Sequence, residues 1–164
     1  MDMMPSHTFD SHYLSESSSL IRTSNWIFTA MPNTSTSPLI VSTSAYDVDT
    51  TVNRIQALLN DKNVNVFAVV DHSSQAIKNG LVLSDEKLII FGDPKVGTYL
   101  MQENPSIGIE LPLKILVFLD QDGKTRVAYK NPNELKSQYG IVKHADVLEK
   151  MQGFLDQIVK KASM

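Results

Sequence analysis

The sequence contains no cysteine. A disulfide framework, a thiolate metal site and a cysteine nucleophile are therefore excluded together, and the composition suits a reducing compartment. Basic residues are not in excess: 15 Lys and Arg stand against 18 Asp and Glu, for a formal net charge of −3. That balance offers no electrostatic footprint for a phosphate backbone, so no nucleic-acid partner is expected. No apolar run approaches the ~18 to 20 residues that span a bilayer. The N-terminal residues also lack the basic region and apolar stretch of a secretory signal, and the single Arg22 among acids does not suit a mitochondrial presequence. No membrane partner and a cytoplasmic location are the expectations. Neither phosphate-cradling pattern, G-x-x-x-x-G-K-[ST] or G-x-G-x-x-G, occurs, and no G-x-S-x-G elbow singles out one of the many serines.

What is present divides near Pro38. Residues 1–37 hold 14 Ser or Thr and only four charges, Asp2, Asp10, Glu16 and Arg22. Such a leader buries too little apolar area to offset its ordering entropy. The alternative is that "LIRTSNWIFTAM", with Leu20, Ile21, Trp26, Ile27 and Phe28, docks as a short element. Residues 38–164 are of a length that suits one domain with one core.

Within 38–164 the pattern is regular. "LIVSTSAY" is rich in β-branched residues and ends at Asp47, a helix N-cap for a stretch in which Val48, Val52, Ile55, Leu58 and Leu59 recur at helical spacing. "VNVFAVVD" is a continuous apolar run of strand length, which predicts a buried strand. "SSQAIKNG" reads as a short helix or turn with Ser73 as cap and Gly80 as its end. "KLIIFG" is a third strand. Pro94 suits the first turn of a helix that runs to Asn104-Pro105. "LKILVFLDQDGKTRVAYKN" predicts a β-hairpin about Asp122-Gly123. A short helix in "NELKSQYG" and a last helix follow, the latter with Asp146 and Glu149 as a capping arrangement and an apolar face of Val147, Leu148, Met151, Phe154, Leu155, Ile158 and Val159.

The segments "NVFAVVDHSSQAIKNGL", "LIIFGDPKVGTYLMQENPSIGIELPLKILVF" and "YKNPNELKSQYGI" resemble the bacterial and archaeal domain of unknown function family 302, over about residues 39–161. Asp93-Pro94, Gly97, Met101, Asn104-Pro105 and Leu111-Pro112-Leu113 fall in order without gaps. The resemblance implies an α/β (α+β) two-layer sandwich, a mixed sheet of about five strands with helices packed on it, often self-associating as a homodimer, and no established reaction. Two positions depart from the family: Asp93 stands where members often have asparagine, and Glu110 where they often have aspartate.

The candidate site starts from strand ends. Asp71 and His72 follow one predicted strand and Gly92, Asp93 and Pro94 another, and ligands collect outside such ends if the strands are parallel neighbours. His72 would then turn toward Lys95 and Thr98 over an apolar floor of Phe91, Leu100 and Met101. As a general base it would have Asp93 or Lys95 as polarising group; alternatively, Asp71 and His72 cap the turn that follows. "FGDPKVG" suggests an anion at a helix start, which Asp93 opposes. Met101 with His72 is a remote haem pair, and His7, His12 and His144 do not converge as a metal set. Tyr99, Tyr129 and Tyr139 are candidate pocket walls. Lys114, inside "LPLKILVF", faces solvent by alternation or pairs with Glu110. No cofactor is identified. Three functions stay open: a homodimeric small-ligand-binding or interaction module, an enzyme using His72, and a ligand-free dimeric scaffold.

Overall fold

A computed structural model describes residues 39–164; the leader and the expectations attached to it lie outside them. The elements are β1 Leu39–Thr43, α1 Val48–Asp61, β2 Asn65–Asp71, α2 His72–Lys78, β3 Glu86–Gly92, α3 Pro94–Glu103, a 3-10 turn Pro105–Ile109, β4 Leu113–Leu119, β5 Thr125–Lys130, α4 Glu134–Tyr139 and α5 Ala145–Ser163. One five-stranded sheet runs in the order β1-β5-β4-β3-β2. The two-layer α/β architecture is as expected. The sheet, expected to be mixed, is antiparallel at every pairing.

Local chemistry explains most boundaries. Asp47 Oδ1 accepts the Thr50 amide at 2.7 Å and starts α1, and Pro94 opens α3 behind the N-cap Asp93. The β4–β5 hairpin forms with Gly123 at φ 71°. Asp120 organises its loop, accepting the amides of Asp122 and Lys124 and the Arg126 guanidinium. Two caps decide between readings or depart from them. Asp71, one of the caps the sequence offered for α2, takes the place of Ser73: its Oδ1 accepts the Ser74 amide at 2.7 Å and the Ser73 hydroxyl at 2.8 Å. The start of α5 makes no side-chain cap bond; just ahead of it, Glu103 from α3 takes the amides of Val142, Lys143 and His144.

One face of the sheet carries the core. Ile89, Phe91, Ile115, Val117, Val127 and Tyr129 point under α1 and α5, where they meet Ile55, Leu59, Leu155 and Ile158. Arg54 locks the two helices by donating to the carbonyls of Lys161 and Ala162. A second buried cluster, Leu100, Ile107, Leu135, Ile141, Leu148 and Met151, joins α3, the 3-10 turn, α4 and the first half of α5. Leu113 packs against both. The alternating residues Leu88, Ile90, Leu116 and Phe118 occupy the other face of the sheet, where each is only partly buried.

The strand expected to be buried is an edge. Among the described residues β2 pairs only with β3, with Phe67 52% and Val69 37% exposed. A short apolar run marks strand length but not strand position, since edge and centre share the same periodicity.

Candidate functional site

The antiparallel pairing of β2 with β3 rearranges the expected site. Asp71 is opposite Lys87, near the start of β3, and Asn65 is opposite Gly92 at its end. Asp71 and His72 therefore lie about 17 Å along the sheet from Gly92, Asp93 and Pro94, five residues at about 3.3 Å each. The link through α2 simply returns the chain as an antiparallel neighbour. A single mouth over both strand ends, a His72 base beside Asp93 or Lys95, and a His72–Met101 haem pair are all ruled out by this register. Asp71 is engaged locally: besides its cap bonds it meets the Lys87 ammonium at 3.2 Å, and its carboxyl is held below the usual range chiefly by the Ser74 amide. Asp49 also binds Lys87, whose ammonium is held above its ordinary value chiefly by that hydrogen bond.

The other end of β3 opens into a cavity of about 510 Å³. Gly92, Asp93, Pro94 and Met101 of the expected set line it, with Phe91 as floor. Lys95 and Thr98 are exposed and outside the lining; the Thr98 hydroxyl donates to the Pro94 carbonyl at 2.6 Å. Leu100 is buried beneath, in the second cluster. Sequence reading did not place Val64 and Phe67, the cis Leu111–Pro112 turn with Leu113, or Lys150, Met151 and Phe154 of α5 at this site. The run Leu111-Pro112-Leu113 and the apolar face of α5 were visible, but no local signal brings them against the end of β3.

Two glycines set the walls. A Cβ on Gly92 would stand 3.6 Å from both Phe67 and Pro112, and one on Gly97 only 3.3 Å from Leu111 Cδ1. The first amides of α3 are taken by Asp93, whose Oδ1 accepts from Lys95 and whose carbonyl accepts from Val96 and Gly97. The charged lining groups are Asp93 and Lys150, and Lys150 is paired to Asp146 at 2.7 Å. That pair lowers the Asp146 carboxyl and raises the Lys150 ammonium, in each case first through their hydrogen bond. The cavity is thus an apolar chamber with its charges at the rim.

The tyrosines serve elsewhere. Tyr99 lies against the His144 ring, centroids 5.5 Å apart. The Tyr129 hydroxyl donates to Asp156, and burial, then that carboxylate, push the phenol far up. Tyr139 donates to Glu110 Oε1 at 2.9 Å. Lys114 is exposed, as alternation requires, while Glu110 pairs with Lys130 at 2.9 Å.

Residues 40–158 match the family described as "Domain of unknown function DUF302". The chain belongs to the DUF302 family. The DUF302 fold is also seen in the crystal structure of the uncharacterized conserved protein DUF302 from Bacillus stearothermophilus, with a TM-score of 0.68 and 15% identity over 76% of this chain and 97% of that one. Two curated relatives are the fluoride-specific ion channels FluC 1 of Brucella suis biovar 1 and Brucella abortus biovar 1, each 36% identical over 111 residues. Those matches take in 68% of this DUF302 chain but only 44% and 41% of the respective relatives. The chain spans less than half the length of these relatives. Among the described residues no helix is long and apolar enough to cross a membrane.

Proposed function

We propose that this DUF302 protein is a small-ligand-binding module working as a homodimer in the cytoplasm, with the cavity at the end of β3 as its site. One observation carries the reading. A chamber of about 510 Å³, with apolar walls and charges only at its rim, has the size and chemistry of a small-molecule pocket. Its ligand is an uncharged apolar body, because a polar group carried inside would find no partner and cost more than it contributes. The enzyme reading has lost its geometry with His72 at the far end of the sheet. Fluoride conduction belongs to the relatives' names, and this segment has no helix suited to it among the described residues.

The test uses N-phenyl-1-naphthylamine, a neutral probe whose emission rises in apolar surroundings. It is expected to bind the full chain, and Val96→Trp, which fills the chamber from its partly exposed wall, should abolish the signal while leaving the melting temperature nearly unchanged. Equal signal from both proteins would remove the cavity as the site.

A further inference from the structure

A second cavity, of about 270 Å³, lies beside β4 and β5. Leu88, Leu116 and Ala128 give it an apolar floor, and Lys114, Lys130 and Glu110 stand around it. The charges do not balance. Lys114 and Lys130 each lie two residues beyond the paired Leu116 and Ala128, on the same face. Like charges so placed on adjacent strands repel unless an anion sits between them. Glu110 supplies one carboxylate for the two: Oε1 takes the Lys130 ammonium at 2.9 Å and the Tyr139 hydroxyl at 2.9 Å. Lys114 hydrogen-bonds only to backbone oxygens, Glu110 O at 3.2 Å and Pro112 O at 3.0 Å; its charge also acts on the Glu110 carboxylate, which Lys130 already holds more closely, and no ion pair among the described residues includes it.

We infer that this cavity is a binding site for a small monocarboxylate with an apolar body. The carboxylate supplies the missing anion, and the body lies on the leucine floor. An ammonium has three donors, so Lys114, with two in use, keeps one for the ligand, and Lys130 turns a further donor to the same anion. Charge-assisted bonds of this kind are the strong ones. A phosphate would match the charge but carries nothing to cover the floor. The site shares Leu113 with the chamber at the end of β3 but does not depend on that chamber binding anything.

The experiment is an amide chemical-shift titration of the full chain with 4-phenylbutyrate, and with 4-phenylbutanol as its uncharged counterpart. Shifts should centre on Leu88, Leu116 and Ala128, and the alcohol should bind about tenfold more weakly or worse, as loss of a charged hydrogen bond implies. Lys114→Met should weaken the acid by a similar factor at unchanged melting temperature, Lys114→Arg should restore it, and Val96→Trp should leave it alone. Equal binding of acid and alcohol, an unaffected Lys114→Met, shifts confined to Phe91 and Met101, or no binding up to about 10 mM, a regime weaker than any useful affinity, would each overturn the inference.

Discussion

Glu103 shows how much one carboxylate can organise. Its two oxygens take three consecutive amides and the His144 ring, joining the end of α3 to the start of α5. These contacts, the Val142 amide first, lower its pKa from 4.5 to about 2. A lowered folded value means that stability from Glu103 is complete above about 4.5, the unfolded value, and drains away as pH falls toward about 2. Glu103→Gln is therefore expected to lower the melting temperature at neutral pH and to flatten the loss between pH 4.5 and 2. Acid limbs that superimpose for the two proteins would refute this. At the other end of the sheet, His72→Ala is expected to leave probe binding in the β3 chamber unchanged, while Asp71→Ala, which removes the α2 cap, should destabilise the fold by thermal melting. Loss of probe binding in His72→Ala would restore the sequence-based site.

Among the elements, α1 and α5 clamp the sheet and α2 does not. Ile55 of α1 is fully buried, whereas Ile77 of α2 is 68% exposed. Ile55→Ala should cost about 2–5 kcal/mol in denaturant unfolding, and Ile77→Ala no more than about 0.5 kcal/mol; comparable losses would contradict the assignment of the core. The helices were legible because their caps and prolines are local: Asp47, Pro94 and the Asn104-Pro105 stop mark α1 and α3 within a residue or two. The hairpin was legible from Asp122-Gly123. Strand position was not, since nothing in "VNVFAVVD" distinguishes an edge paired on one side from a centre paired on two. That single ambiguity moved His72 to the wrong end of the site, because a reversed neighbour exchanges its two ends.

At the scale of the molecule, β2 is an edge among the described residues, without the lysines or proline that blunt such strands, and its Phe67 and Val69 are exposed. Pairing of two copies along β2 is the expected form of the homodimer. Light scattering should give about twice 18.3 kDa, and Val69→Lys should return the mass to that of one chain; a monomer for the unaltered protein would exclude it. Half of the first cavity's wall was readable as β3 and α3, which are adjacent in sequence, and half was not, because α5 and the Leu111–Pro112 turn arrive there only through tertiary packing. Leu113 and the length of α5 are the ties between the two buried clusters, and the first cavity is the space left between them. Each cluster can then open to solvent on its own schedule, so deuterium should reach the amides of Leu100 and Ile141 well before those of Ile55 and Ile115. A guest in that space would act as a third tie, drawing the two exchange rates together and turning a pair of loosely joined halves into one cooperative body.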